Sequence, residues 1–555
     1  MNRLLLIVNL CLLMSPLFAQ IRPEQQSQVD KLFEPWNSTH TPGLALGIVK
    51  EGELVYTKGY GMADLEHDIP LSSRSVFYAA SVSKQFVTFA ILLLEEQGKL
   101  SLDADIQTYL PDFPRYESPL SIRHFIHHTS GVRDYLTLWS LAGNSYLDHI
   151  DEHAVYELIK RQQTLNFSPG EKYLYSNSCY FMLAMIVEKV SGQSIKEFAA
   201  EHMFGPLGMK HTRFHDDVNR LIKNRAFSYQ DAGESYDNLI MRFDLVGSGG
   251  LYTTVEDLYL WDQNFYQNQL GKGTNDLIEK MHEDGLLNNG ESSGYACGVV
   301  NDAYKGLKTV GHGGALAGYR TYLLRFPEQN FSVIILANVS SFNSAGKAHE
   351  VADIFLTEMM DPPEQSATGE AEEAAQVFLT LSPEDMNPFI GSYLLPNGFE
   401  IEISLQADSL HVRQDWNQVT YTMSPVAKNV FMIPGNSRLT MEFSDLSEGK
   451  TNVMIVNQGG SDIVCQRKGG VMNEDLTAYV GSYYSEELLT HYEISLKEEI
   501  LVWHIGYQKP QPLKWIGKDQ FVSEGLQFAF EREGKELIGF RLNAGRVTDL
   551  GFRKE

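Results

Sequence analysis

Apolar positions along this chain change period in stages, and each stage predicts a different kind of element. Residues 24–36 read as a first helix. Leu44–Val49 and Glu53–Thr57 then read as a hairpin turning at Lys50-Glu51-Gly52. From 82 to 200 the period is mostly helical, with loops at His127–Arg133 and Phe167–Asn177. Within that stretch Phe86, Ala90, Ile91 and Leu94 recur at helical spacing. Strands return at Tyr319–Phe326 and Phe331–Leu336 around a turn at Pro327–Asn330, and a helix follows at roughly 344–360. Strands at both ends of a helical middle predict an α+β fold: one antiparallel sheet flanked by helices, with a helical subdomain inserted.

Beyond 360 the pattern changes again. Asp361 to Ala375 is rich in Glu, Ala, Pro and Ser and poor in bulky apolar residues, which marks a linker. An internal repeat follows. Phe389-Ile-Gly-Ser-Tyr393 recurs as Tyr479-Val-Gly-Ser-Tyr483, and Glu402-Ile-Ser-Leu405 as Glu493-Ile-Ser-Leu496. Short alternating segments with Gly, Asn and Asp turns continue each copy, so two antiparallel β modules are expected. The predicted organisation is an export signal over 1–19, a catalytic region over 20–360, a linker over 361–384, and β-barrel-like modules over 385–470 and 471–555. The linker further predicts that residues 20–375 fold without the β modules.

Composition narrows the function classes. A chain of 555 residues exceeds one core, and a formal charge of -26 argues against nucleic-acid binding. Arg3, the apolar run Leu4–Phe18 and small Ala19 before Gln20 read as a cleaved secretory signal. The expected location is therefore periplasmic or extracellular. No later segment is long and apolar enough to span a membrane. Cleavage leaves Cys179, Cys297 and Cys465, which form neither a disulfide framework nor a metal-ligand spacing.

The candidate chemistry starts at Ser81-Val-Ser-Lys84. A serine and a lysine three apart share one face of a helix, so a nucleophile and its activator can sit within one turn. The same spacing recurs at Ser344–Lys347 and Ser447–Lys450, so the tetrapeptide alone has little specificity. Three further clusters accompany it. Tyr175-Ser-Asn177 offers a phenol that can relay protons and an amide that can orient a lysine. Gly311-His312-Gly313-Gly314 offers a strand edge that a substrate backbone can approach, with a histidine donor. His127-His128-Thr-Ser-Gly131 lacks ligand partners at metal spacing and reads as a turn supporting the site.

Ser81-x-x-Lys84, Tyr175-x-Asn177 and His312-x-Gly314, in that order, resemble the serine β-lactamase and penicillin-binding-protein superfamily. The likeness is greatest to its class C-like branch of β-lactamases, DD-peptidases, esterases and D-aminopeptidases. Ile122–Ile126 with His128–Gly131, and Gly249–Thr254 with Glu256-Asp257-Leu258, match as well. The resemblance covers about 24–360 and implies a β-lactamase-like fold. It implies acyl transfer through Ser81, with Lys84 and Tyr175 sharing the proton and Asn177 and His312 assisting. Gly313, Gly314, Ala315 and Arg320 would bind substrate, and the N–H groups of Ser81 and Ala315 would hold the oxyanion. No metal or cofactor is implied; the partner is a small-molecule or peptide substrate, and the oligomeric state stays open. Class C β-lactamases carry Lys-Thr-Gly where this chain has His312-Gly313-Gly314. That departure favours amides or esters over β-lactams. A class C-like β-lactamase and a catalytically silent binding or scaffold protein remain as alternatives.

Overall fold

The runs Leu44–Lys50 and Phe331–Ala337 are apolar at nearly every position, not at alternate ones, which is what a strand covered on both faces requires. They lie side by side in a six-stranded antiparallel sheet. The computed structural model describes residues 21–361 and 378–555, apart from 396–398, 407, 417, 435, 448, 459–460, 469–474 and 518. The proposed export signal and most of the linker therefore lie outside the described residues.

The sheet's strands are β1 (Leu44–Lys50), β2 (Glu53–Tyr60), β3 (Val300–Tyr304), β4 (Leu307–Leu316), β5 (Tyr319–Phe326) and β6 (Phe331–Ala337), in spatial order β3-β4-β5-β6-β1-β2. Two segments nearly three hundred residues apart thus meet at the β6–β1 pairing, Leu44 opposite Ala337 through Lys50 opposite Phe331. Helices α1 (Pro23–Leu32) and α5 (Ser344–Leu356) cover one face, where Val29, Leu44, Leu46, Ile48, Val333, Ile335, Val351 and Ala352 form one buried cluster. Between β2 and β3 lie the helical elements, chiefly α2 (Lys84–Glu96), α3 (Asn177–Ser191) and α4 (Val255–Asn264). Strand β3 has no counterpart in the hydrophobic pattern: Val300-Asn-Asp-Ala-Tyr304 is polar because an edge strand is half exposed.

Behind α2 a buried ion pair ties these layers together. Arg325 Nε on β5 donates to Asp262 Oδ1 on α4 at 2.8 Å, and Ser332 on β6 donates to the same oxygen at 2.9 Å. Gln85 Oε1 on α2 accepts from Trp261 Nε1 at 3.1 Å and from Arg325 at 3.4 Å. These bonds tie the first turn of α2 to α4 and to the sheet.

The described chain forms two compact units. One comprises the described residues up to Val132, Tyr146–Tyr156 and 167–361; the other comprises Arg133–Ser145, Glu157–Asn166 and the described residues from 378 onward. This grouping crosses the boundary at 360 that composition predicts. In the second unit, strands between Gly391 and Arg467 close an eight-stranded barrel, and strands between Gly481 and Lys554 form a nine-stranded sheet. The repeat is structural as well as sequential. Gly391 and Gly481 adopt φ of 152° and 154°, a region open to glycine. Tyr393 and Tyr483 each donate to the carbonyl four residues back, at 2.9 and 2.8 Å. Leu138, Leu141 and Leu158 pack into the core of the nine-stranded sheet. Arg133 donates to Glu487 at 2.6 Å and to Gln162, Thr164 and the carbonyls of Thr548 and Asp549.

Candidate active site

Ser81 lies in a tight 3-10 turn, Ala80–Ser83, and the α-helix begins only at Lys84. Sequence spacing predicts one continuous helical face; the turn is tighter for a local reason. Ala80 sits at φ 47°, a costly conformation for a residue with a side chain. The turn around it is pinned. Ala79 N–H donates to Leu251 O at 2.8 Å, and Ala79 O accepts from Thr321 Oγ1 on β5 at 2.9 Å. The Ser83 hydroxyl donates back to Ala80 O. Ser81 is held at a strained corner, half-buried, with the helix running away from it.

Lys84 is fully buried. Its Nζ lies 3.2 Å from Ser81 Oγ, 2.9 Å from Asn177 Oδ1 and 2.8 Å from Ser248 O. It also sits over the Tyr175 ring at 4.8 Å and the Tyr180 ring at 5.4 Å. A neutral amine has two N–H groups and one lone pair. Protonated, Lys84 donates to Ser81 Oγ; once it has lost a proton, the two carbonyl acceptors can take both remaining N–H groups and leave the lone pair for the Ser81 hydroxyl. Asn177 can serve here because it is the first residue of α3, so its side chain emerges where the 167–176 loop delivers Tyr175.

That loop is braced by the His127–Gly131 turn. Leu174 N–H donates to His128 O at 2.9 Å, Gly170 N–H to Thr129 O at 2.8 Å, and Ser176 N–H to His128 Nδ1 at 3.1 Å. The adjacent histidines diverge: His127 Nδ1 bonds to Tyr295 O at 3.0 Å. The ring of His128 packs 4.2 Å from that of Tyr175. The one three-residue group of convergent metal-type donors among the described residues is Asp64, Glu66 and His67. Asp64 there accepts hydrogen bonds from the main chain of Glu66 and His67 and from His67 Nδ1, which makes it a turn.

His312 and Gly314 lie on β4, beside the Ala80–Ser83 turn. A Cβ at Gly314 would stand 2.3 Å from Ala79 O and 2.4 Å from Thr321 Oγ1, so only glycine permits this approach. Strand β3 pairs with β4 only as far as Val300 opposite Gly311. His312 is buried; its Nδ1 lies 2.6 Å from Gly313 O and its Nε2 2.9 Å from Tyr295 Oη. Burial, reinforced by the Lys84 charge, lowers its pKa to about 4 against a weaker opposing pull from the Gly313 carbonyl.

The family described as Beta-lactamase matches residues 28–356. The chain belongs to the beta-lactamase family. It is 27% identical over 467 residues to a penicillin-binding protein of Bacillus subtilis (strain 168), covering 80% of this chain and 98% of that one. It is 26% identical over 533 residues to a D-aminopeptidase of Gluconobacter oxydans (strain 621H), covering 92% of this chain and 96% of that one. The solved octameric penicillin-binding protein homologue from Pyrococcus abyssi shares the fold, with a TM-score of 0.55 at 21% identity over 80% of this chain and 99% of that one.

Within this beta-lactamase family member, the structure brings Ser81, Lys84, Tyr175 and Asn177 together around one ammonium position. His312 stands 6.3 Å from Tyr175, ring centre to ring centre, and its hydrogen bonds go to Tyr295 and Gly313. Ala315 is exposed on β4, opposite Arg320 on β5. Arg320 therefore shares a face with Ala315, whereas His312 pairs with Leu323 on the other face. Arg320 Nη1 donates to Ala317 O and Tyr319 O at 2.9 and 2.8 Å. Two contributors have no sequence signal. Ser248 acts through its carbonyl, which every residue type carries. Tyr295 sits in a Ser-Ser-Gly-Tyr loop with no motif of its own. No helix among the described residues is long and apolar enough to cross a membrane.

Proposed function

We propose that this protein is an exported serine hydrolase that passes acyl groups through Ser81, with D-aminoacyl amides and related peptides or esters as its substrate class. The observation that carries the reading is the placement of Lys84 Nζ, 3.2 Å from Ser81 Oγ and oriented by Asn177 and Ser248. In this scheme Ser81 Oγ bonds to the substrate carbonyl carbon and gives its proton to the Lys84–Tyr175 pair. The scissile C–N or C–O bond then breaks and the leaving group takes that proton. Water adds to the acyl-enzyme in the second half, and Ser81 regains its proton as the acid departs. The N–H groups of Ser81 and Ala315 are the proposed donors to the oxyanion. Beyond Gly311 the free side of β4 offers an extended substrate a strand to align with. The D-aminopeptidase likeness supports the D-amino substrate class, and the apolar leader supports export.

A fluorophosphonate probe should label the wild-type protein and spare Ser81→Ala. That variant should keep less than about a thousandth of the wild-type turnover, the level that binding and an oxyanion hole alone leave. Labelling that persists in Ser81→Ala places the nucleophile elsewhere. A D-aminoacyl amide or a short-chain ester should exceed a cephalosporin in kcat/KM. A cephalosporin ahead by tenfold or more makes the chain a β-lactamase instead.

A further inference from the structure

Tyr180 belongs to none of the three motifs, yet its ring lies over the Lys84 ammonium position. It stands three residues after Asn177 at the start of α3, so the two side chains share a helix face. Asn177 Oδ1 meets Lys84 Nζ at 2.9 Å, and the centre of the Tyr180 ring lies 5.4 Å from the same atom. On α2, Lys84 and Thr88 share a face in the same way, four residues apart. Thr88 Oγ1 donates to Tyr180 Oη at 3.2 Å, and Tyr180 Oη donates to Ile126 O at 2.8 Å. We infer that Tyr180 is a positioning residue whose tethered ring face favours the charged form of Lys84 and so raises the proton affinity of that lysine. This rests on the hydrolase reading above for its kinetic consequence, though not for the lysine's titration.

The hydroxyl's contacts separate this role from the one proposed for Tyr175. Ile126 O can only accept, so the single phenolic proton of Tyr180 is committed to it. Burial holds that phenol well above the ordinary range, so it keeps the proton. What Tyr180 offers the lysine is the negative face of its ring, which attracts an ammonium and has little pull on a neutral amine. The ring is fixed from three sides: by Thr88 on α2, by the Ile126 carbonyl, and by the His128 ring at 5.1 Å. Lys84, Thr88 and Tyr180 are fully buried, so solvent does not dilute the attraction. Titratable groups face Lys84 from three elements: Tyr175 from the loop before α3, Tyr180 from α3 itself and His312 from β4. Burial and any charge on His312 push the lysine toward the neutral amine, and the two ring faces push back.

The test uses the full-length protein with lysine carbon-13 labelled at Cε, the Lys84 signal being assigned by its loss in Lys84→Met. Tyr180→Phe keeps the ring face. Phenylalanines with one and then three ring fluorines at position 180 weaken that face at nearly constant shape, and Tyr180→Leu removes it. The Lys84 titration midpoint should fall stepwise along this series, and in Tyr180→Leu should lie about half a unit to one unit below that of Tyr180→Phe. Equal midpoints across the fluorinated series, or a Lys84 signal that titrates in none of the variants, overturn the proposal whether or not any substrate is turned over. The fluorinated proteins decide the question even if Tyr180→Leu does not fold. A fluorophosphonate probe reads the kinetic consequence. The acid limb of its labelling rate should move to lower pH by the same amount as the midpoint, because a weaker base stays unprotonated further down the pH scale. An acid limb that stays in place while the midpoint falls overturns the kinetic role. If the probe labels neither the wild type nor any variant, the hydrolase reading fails, while the carbon signals still decide the lysine's proton affinity.

Discussion

Lys84 Nζ stands 3.2 Å from Ser81 Oγ and 4.8 Å from the centre of the Tyr175 ring, so the three residues are grouped around one position. Residues acting as one unit lose activity non-additively. Lys84→Ala and Tyr175→Phe should each lower kcat by several orders of magnitude, and the double variant should be little worse than either. Single-turnover acylation rates check this; losses that multiply would separate the two roles. The buried histidines make a second prediction. His312 and His282 both have folded pKa values near 4, through burial first and then the nearby Lys84 and Arg325 charges. Their neutral rings favour the fold, so the contribution is complete above about pH 6.5 and is lost as pH falls toward 4. At roughly 1.4 kcal/mol per pH unit, each accounts for about 3 kcal/mol across that window. Melting curves should show the wild type losing more stability than His312→Gln on acidification from pH 6.5 to 4.5. Equal slopes would mean that His312 is not held neutral.

At the scale of elements, the site depends on how closely β4 and β5 approach the turn before α2. Thr321 and Gly314 provide that contact, one by bonding Ala79 O and the other by having no side chain. Gly314→Ala would bring a methyl within 2.3 Å of a backbone carbonyl and 3.0 Å of Ala80 Cβ, so the strand must back away from the Ser81 turn. The expected result is a fall in kcat/KM of about a hundredfold, the scale on which small displacements from reacting geometry are felt. The melting temperature should fall by only a few degrees, since most of β4's pairing remains. Steady-state kinetics with differential scanning calorimetry distinguishes this from general unfolding, in which both would collapse. The motif glycines were legible in the chain. The reason for the second of them was not, because two of the three atoms it must avoid, those of Ala79 and Ala80, come from residues more than two hundred positions away.

For the whole molecule, the two compact units do not follow the linker. Leu138, Leu141 and Leu158 belong to the core of the nine-stranded sheet, and Arg133, fully buried, is neutralised by Glu487. Glu487→Ala would leave that guanidinium without its carboxylate, which costs about 3 kcal/mol or more for a buried pair. Urea unfolding of the full-length variant should show a midpoint shift for the second unit. A chain ending at 471 would leave the same leucines without their apolar partners and should aggregate or melt without cooperativity. A sharp melt and full solubility of that fragment would show that the leucines find other cover. The prediction reverses what linker composition alone implies, because composition records where few contacts form along the chain and not where distant segments pack.

What the amino-acid sequence determined by itself was local or repetitive. Hydrophobic period sufficed for the β1–β2 hairpin, the β5–β6 hairpin and helix α5, because each depends on neighbours in sequence. Ordered motifs sufficed to single out Ser81, Lys84, Tyr175 and Asn177, which the fold brings together around Lys84 Nζ. The recurring Gly-Ser-Tyr segments sufficed for two β modules. Tertiary structure alone decided the rest. It bent the chain into a 3-10 turn at Ser81, because Ala79 is pinned from β5 and from Leu251. It turned His312 toward Tyr295, set Arg320 on the opposite face of the sheet, and recruited the carbonyl of Ser248 to Lys84. Each of these is a contact between backbone groups or motif-free side chains far apart in sequence. The energy of such a contact is set by where packing places the partners, and no local pattern of residue types encodes that position.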